Sequence, residues 1–213
     1  MSSLDATLAH ARVARVARAL AGRAGARIAA ELPARHAAVA LIMRLDADDG
    51  DVELLMIRRA AFPGDPWSGH IAFPGGRREE NDVSLEHTAI RETWEETAVD
   101  LDRDGRLLGT LDEVHPRTPR LPPLVIRPYV FAIGGQIEVT PSHEVAEAFW
   151  VPLPLLADPS ATGEATFVDG GIERTERSFR LGEHVIWGLT ERILRQFIEL
   201  ASGNARGPVP PTR

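Results

Sequence analysis

The sequence predicts an α/β protein in which a mixed β-sheet carries helices on its faces. Apolar runs of strand length recur along the chain and are bounded by clusters of Gly, Pro and Asp. Two longer segments have the apolar spacing of helices, and they are interleaved with those runs. Strands and helices that alternate in this way favour helices packed in layers against a sheet.

The composition is that of a single globular domain. The chain has 213 residues, of which 44% are hydrophobic and 26% charged, so it can bury a sizeable core. Its net charge of -7 argues against a nucleic-acid partner, because binding phosphates through bulk electrostatics needs clustered Lys and Arg. The sequence contains no cysteine and no apolar run near the ~20 residues of a membrane span. We therefore expect a cytoplasmic protein that binds neither nucleic acid nor membrane.

Three segments are expected: an N-terminal helical extension (1–35), the main domain (36–201) and a disordered tail (202–213) that contains GPVPP. In the extension, apolar side chains recur at near-helical spacing: Val13, Val16, Leu20 and Ile28. A start that is rich in Ala and Arg and poor in acids is also typical of a transit peptide. A surface helix and a targeting segment therefore both stay open.

In the first half of the main domain, the runs at 36–45 and 51–60 flank the turn-forming sequence DADDG. They predict the two strands of a hairpin. Residues 61–76 hold two Pro-Gly pairs, which exclude a regular helix and predict a long loop with a short strand at 70–73. Loops of this length usually carry function.

In the second half, apolar runs predict further strands, then a hairpin, then an amphipathic helix. The strands are expected at 106–114, 123–133 and 144–153, the hairpin at 165–182, and the helix at 184–201. The apolar stripe predicted for this last helix comprises Ile186, Leu189, Ile193, Leu194, Phe197 and Leu200.

A third predicted helix, at 85–99, carries three carboxylates on one face. Glu92, Glu95 and Glu96 stand at i, i+3 and i+4, so they project from a single helical turn. Such a cluster can be a solvated surface on which Arg91 pairs with Glu95, or it can hold Mg²⁺ or Mn²⁺ through oxygen ligands. The preceding FPGG favours the cation, because glycine backbone can approach an anionic site closely.

These residues resemble the Nudix box, which runs Gly, five spacers, Glu, seven spacers, then Arg-Glu-hydrophobic-any-Glu-Glu-any-Gly-hydrophobic. Here Gly76 is followed after five spacers by Asp82 in place of Glu, and after eight more by Arg91. In the final part, RETWEETAV, Thr93 takes the hydrophobic slot and Ala98 replaces the Gly. The metal-binding core of the box is complete: Arg91, Glu92, Glu95 and Glu96.

The inserted residue, together with Asp82 in the Glu slot, resembles the coenzyme A pyrophosphatase branch of the Nudix superfamily. That branch shows LLTxRSx[SA]xxxRxxxGxxxFPGG, and this chain reads LLMIRRAAFPGDPWSGHIAFPGG without a gap. Met56, Arg59 and Asp65 depart from the Thr, Ser and Arg of that pattern. Near the C-terminus, IWGLTERIL is similar to the branch's IWGLTAxIL. The resemblance covers roughly residues 36–200.

The resemblance implies a Nudix-type α/β/α sandwich that hydrolyses a pyrophosphate bond in a nucleoside diphosphate linked to another moiety, with Mg²⁺ or Mn²⁺ as cofactor. Coenzyme A or an acyl-CoA is the leading small-molecule substrate. Hydrolysis of ADP-ribose, NADH or dinucleoside polyphosphates is an alternative. A Nudix module that binds a nucleotide without hydrolysing it is another.

The resemblance also assigns roles to the acidic turn. Glu92 and Glu96 are expected to ligate the metal directly, and Glu95 to act as a ligand or in the catalytic water network. Arg91 is expected to orient a glutamate through a charged hydrogen bond. Asp82 is expected to cap the helix or to act as a ligand, and Ser84 is the other candidate for the cap.

The resemblance implies that the general base comes from the box or from a later loop, where Glu144 is the first choice beside His143 and Glu147. A solvated loop acid is the alternative for Glu144. The expected substrate-binding residues are Arg58, Gly75, Gly76 and His70, with Trp67 as a stacking or packing residue and Arg117 and Arg120 at the entrance. Relatives of this type often pair, so a homodimer through the exposed face of the last helix is also considered.

Overall fold

The computed structural model describes residues 2–28, 34–65, 67–116, 123–169 and 172–203. Its strands are β1 (Arg35–Leu45), β2 (Val52–Arg59), β3 (Ile71–Ala72), β4 (Gly75–Arg77), β5 (Gly105–Thr110), β6 (Leu124–Ile133), β7 (Val145–Pro152), β8 (Thr162–Asp169), β9 (Ile172–Leu181) and β10 (His184–Trp187). Its α-helices are α1 (Ser3–Ala9), α2 (Ala11–Leu20), α3 (Leu85–Thr97), α4 (Leu101–Asp104), α5 (Leu153–Ala157) and α6 (Gly188–Ala201). A 3₁₀ turn spans Pro159–Ala161.

A seven-stranded mixed sheet forms the centre of the molecule, in the order β3-β2-β1-β6-β5, with β4 paired to β1 and β7 paired to β2. Strands β1 and β6 run parallel, whereas β1 and β2 form the predicted antiparallel hairpin. Every residue of β6 is buried, as expected for a strand that is covered on both faces. The predicted mixed α/β fold is therefore confirmed.

The two faces of this sheet carry separate apolar cores. On one face, side chains such as Leu54 pack with α2, α5 and α6. On the other, Leu55 and Ala40 pack against Ala89 of α3. Successive residues of β2 point to opposite faces, so neighbouring side chains on this strand enter different cores.

The N-terminal helices belong to the first core. Val13, Val16 and Leu20 are buried where α2 meets α6 and β5. The helix ends at Leu20, so Ile28 lies beyond it in an irregular segment. No helix in the described ranges is long and apolar enough to cross a membrane.

The predicted C-terminal helix begins four residues later than expected. His184–Trp187 form β10, which pairs antiparallel with β9 in a second, three-stranded sheet. Gly188, the first residue of α6, has a φ of 65°, so the chain changes direction between the strand and the rest of the helix. Ile186 therefore packs from a strand, while Ile193 and Phe197 carry the helical stripe. From residue 204 onward, the predicted disordered tail lies outside the described residues.

Helix α3 starts after Ser84, whose hydroxyl accepts a hydrogen bond from the His87 N–H. Ser84 is thus the cap, and the prediction of Asp82 as the cap is wrong. The helix ends at Thr97, two residues before the predicted end, because Ala98 turns into the left-handed region with a φ of 57°. This is the position where the Nudix pattern has Gly, the residue that adopts such a conformation without strain.

We expect Ala98→Gly to stabilise the protein by about 1 kcal/mol, because glycine removes the left-handed strain at the end of α3. The measurement is urea unfolding followed by circular dichroism. As a matched control, Ala17→Gly inside α2 should destabilise by about 1 kcal/mol. A loss of stability in both variants would contradict the strain assigned to Ala98.

Candidate active site

The acidic turn of α3 lies directly against the two glycines of β4. The Gly75 N–H donates to Glu96 Oε2 at 2.8 Å. A Cβ on Gly76 would overlap the carboxylate of Glu92. Strand β4 is held in this position by its pairing with β1, where Ala38 lies opposite Gly76. Gly76 therefore lets the backbone approach the Glu92 carboxylate at a distance that a side chain would not permit, and Gly75 does the same for the backbone of β1.

Burial strongly perturbs these carboxyl groups. Glu96 is only 3% exposed, and burial raises its pKa to about 8 although the Gly75 N–H and the charge of Arg59 oppose the shift. Burial also raises the pKa of Glu92. The negative charge of Glu144 adds to both upward shifts, so this loop acid lies near the same turn. Nearby protein groups thus only partly offset the cost of burying a charged carboxylate in the acidic turn.

Arg91 organises the rest of the turn. Its Nε and Nη2 donate to the two carboxylate oxygens of Asp82, each at 3.0 Å, in a two-pronged contact. Its Nη1 donates to Glu95 at 3.1 Å, and its Nη2 lies 3.1 Å from Glu92 and donates to the Arg77 carbonyl. Arg91 therefore fixes two of the three glutamates relative to β4, a wider role than a surface pair with Glu95.

Asp82 is an anchor inside the protein. Its side chain is 1% exposed, and the hydrogen bonds from Arg91 hold its pKa well below the usual range. The Thr88 hydroxyl and the Glu79 N–H also donate to it. Because these donors already occupy its oxygens, Asp82 holds Arg91 in place, and this role differs from both predicted ones.

The sequence reasoning missed Arg59. Its Nη1 lies 3.6 Å from Glu96 Oε1, and its Nη2 donates to Asp65 at 3.2 Å. Arg59 shares the face of β2 that carries Leu55, the face that packs on α3. The alternation of side chains along a strand could therefore have shown that Arg59 and Arg58 lie on opposite faces of β2. The signal was ambiguous because Val52–Ile57 are buried on both faces.

The loop before β7 docks on the C-terminal end of α3. The Thr140 N–H donates to the Thr97 carbonyl at 2.9 Å, and the Ser142 N–H donates to the Glu96 carbonyl at 3.0 Å. This docking carries Glu144 to the acidic turn, where its side chain is half exposed. Its role as a general base stays a prediction.

Arg58, predicted to bind substrate, lies on the opposite face of β2 from Arg59. Its Nε donates to Glu147 at 3.1 Å, and Glu147 also lies 3.7 Å from His184. Glu147 is therefore held away from the acidic turn, whereas His143 is exposed and lies 4.0 Å from Glu144. Substrate binding by Arg58 stays a prediction.

His70 packs against Trp187, with 4.7 Å between the ring centroids, and burial lowers its pKa. Trp67 is partly buried against the core that contains Leu54, in agreement with the packing role considered for it. Arg117 and Arg120, predicted at the substrate entrance, lie outside the described residues. Substrate contacts by His70, Gly75 and Gly76 also stay predictions.

In the part of the chain that the structure describes, no group of three or more acidic or histidine side chains is arranged to hold a metal ion. The Glu95 carboxylate accepts a hydrogen bond from Arg91 and is about half exposed. The acids of the turn that face β4 are the partly buried Glu92 and the buried Glu96.

Comparisons with known proteins place these features in a family. A family model described as the NUDIX domain matches residues 34–170. The mitochondrial coenzyme A diphosphatase NUDT8 of Mus musculus is 31% identical over 179 residues, which cover 82% of this chain and 83% of that protein. The Homo sapiens protein of the same name is 31% identical over 181 residues, covering 84% and 75%. A MutT/nudix family protein from Enterococcus faecalis shares the fold, with a TM-score of 0.53 at 20% identity over 83% of this chain and 70% of that one.

Fold, site and relatives together define a pyrophosphohydrolase. The chain belongs to the Nudix family, and its resemblance to the coenzyme A pyrophosphatase branch is confirmed. A relative from Caenorhabditis elegans is named as peroxisomal and those above as mitochondrial, so a cytoplasmic location for this chain stays a prediction.

In EDTA, we expect the free energy of unfolding to fall between about pH 4.5 and 8. The reason is the raised pKa of Glu96 in the folded protein. Its contribution to stability is fully present below the pKa of an unfolded glutamate and is lost as the pH rises through the pKa of the folded state. The fall attributable to Glu96 should be on the order of a few kcal/mol, and Glu96→Gln should remove it. Urea unfolding at a series of pH values tests this, and parallel curves for the two proteins would contradict it.

Proposed function

We propose that this protein hydrolyses the diphosphate bond of coenzyme A or an acyl-CoA with the help of a divalent cation. The observation that carries the proposal is the glycine-contacted pair of the partly buried Glu92 and the buried Glu96 on one turn of α3. The relatives named coenzyme A diphosphatases support this class of substrate.

The donor chemistry of the turn fits a hard cation such as Mg²⁺ or Mn²⁺. Such ions prefer carboxylate oxygens, and a cation beside Glu96 would favour the charged carboxylate that burial now disfavours. Glu92 and Glu96 would hold the ion, with Glu95 as a further ligand or as part of the water network. When bound, the ion supplies positive charge for the diphosphate and lowers the pKa of a bound water.

The protein's own groups would prepare this site. The Gly75 N–H holds one oxygen of Glu96, and Arg91 orients Glu92 and Glu95. Glu144 is the proposed general base, which accepts a proton from the attacking water as oxygen bonds to phosphorus and the phosphoanhydride bond breaks. Its half-exposed position next to the turn suits exchange of that proton with solvent.

We expect coenzyme A to be cleaved to 4′-phosphopantetheine and adenosine 3′,5′-bisphosphate in the presence of Mg²⁺ or Mn²⁺. Chromatography of a panel that also contains ADP-ribose, NADH and a dinucleoside polyphosphate measures the preference. Preferred cleavage of one of these other compounds would reject coenzyme A as the substrate. Binding of a nucleotide without any cleavage would indicate a non-catalytic module.

Glu96→Gln should lower kcat by at least about 100-fold, because the amide cannot become the charged oxygen ligand that the cation would need. The matched control is Glu199→Gln, which makes the same change at an exposed position on α6 and should leave kcat unchanged. Circular dichroism checks that both variants fold. A folded Glu96→Gln protein with the wild-type rate would contradict the proposed function.

A further inference from the structure

Arg59 places a guanidinium group at the edge of the acidic turn. Its Nη1 lies 3.6 Å from Glu96 Oε1, and its side chain is 25% exposed whereas that of Glu96 is 4% exposed. The guanidinium is therefore the more solvent-exposed partner of the buried carboxylate. An anionic substrate that approaches Glu96 from solvent would meet this guanidinium.

The loop after β2 holds the guanidinium in place. Asp65 accepts a hydrogen bond from Arg59 Nη2 on one oxygen, and on the other it accepts the Trp67 N–H at 3.0 Å. The loop is tied back to the end of the strand, because the Arg59 N–H donates to the His70 carbonyl and the Gly69 N–H donates to the Arg59 carbonyl. Asp65 thus fixes Arg59 on the side away from Glu96.

One donor of this guanidinium is unused. The Nε of Arg59 is buried and has no hydrogen-bond partner among the described residues. A buried N–H without an acceptor is unfavourable, so the protein leaves part of this guanidinium's donor capacity unused, while the exposed part of the side chain can still meet a ligand. The planar donors of arginine match the oxygens of a phosphate group.

The sequence changes at both ends of this contact. The branch pattern has Ser where this chain has Arg59, and Arg where this chain has Asp65. In this chain the arginine stands on the strand, and an acid that holds it stands on the loop. The branch pattern therefore has an arginine at position 65, whereas this chain has one at position 59.

We propose that Arg59 binds the diphosphate of the substrate and that Asp65 is the residue that positions it. The inference rests on the proposed function for the identity of the diphosphate. Charge supports it: the chain carries a net charge of -7 and Glu92 and Glu96 repel a phosphate, so a fixed cation beside them offsets that repulsion. A guanidinium that only neutralised Glu96 would affect stability but would not bind substrate.

Kinetics with coenzyme A test the contact. Arg59→Ser should lower kcat/KM by about 10-fold to 100-fold, the range for a lost hydrogen bond to a charged group. Asp65→Arg alone should also impair the enzyme, because it sets two like charges together. The double variant Arg59→Ser with Asp65→Arg should recover most of the loss, because the guanidinium returns from the other position. If the kcat/KM of the double variant were no higher than that of Arg59→Ser, the inference that an arginine at position 65 can replace Arg59 would be overturned.

Two further variants separate binding from folding. Arg59→Lys keeps the charge beside Glu96 but lacks the planar donors, so it should fold and show a raised KM. The matched control is Arg44→Ser, which removes an arginine paired with the buried Glu53 on the same sheet. It should lose stability and keep the wild-type KM. Equal KM values for the wild type and Arg59→Lys would contradict recognition by the planar donors.

Calorimetric titration with inorganic pyrophosphate and Mg²⁺ makes the test independent of the nucleotide. We expect Arg59→Ser to bind pyrophosphate about 10-fold or more weakly than wild type and Arg44→Ser to bind it equally well. Equal affinity of wild type and Arg59→Ser would overturn the inference. If the wild type failed to cleave coenzyme A yet this difference held, the proposed substrate would fall and the role of Arg59 would stand.

Discussion

The site depends on the close approach of the β4 backbone to the acidic turn of α3. Gly75 donates its N–H to Glu96, and the missing side chain of Gly76 leaves room for Glu92. Two sets of contacts hold β4 and α3 next to each other. Strand β4 pairs with β1, and the core around Leu55 and Ala89 packs α3 against the sheet. The packing of the sheet thereby fixes the position of the two carboxylates.

The closely packed acids of the α3 turn repel one another when they are charged, and Arg91 and Arg59 each offset part of that repulsion. Arg91 binds Asp82, Glu92 and Glu95, while Arg59 reaches only the outer edge of Glu96. Glu96 consequently keeps a pKa raised by burial to about 8. Without a cation, burial thus favours the neutral form of Glu96, and under the proposed function a bound cation would favour its charged form.

Local patterns in the sequence predict much of the fold and the acidic turn. The β1–β2 hairpin follows from two apolar runs around a turn, and the shared face of Glu92, Glu95 and Glu96 follows from helical spacing. Features that depend on distant contacts escape such reasoning. Residues 184–187 read as the start of a helix until their pairing with β9 is known. The roles of Asp82 and Arg59 likewise arise from partners that a single segment does not reveal.

The proposed function requires Glu92 and Glu96 to form a cation-binding centre. Titration of the protein with Mn²⁺, followed by the electron paramagnetic resonance signal of the free ion, measures that binding. We expect the wild type and Glu199→Gln to remove Mn²⁺ from solution, and Glu92→Gln and Glu96→Gln to bind it more weakly, because each loses one charged oxygen ligand. A wild type that takes up no Mn²⁺, with or without a nucleotide, would contradict the account, as would equal uptake by Glu96→Gln.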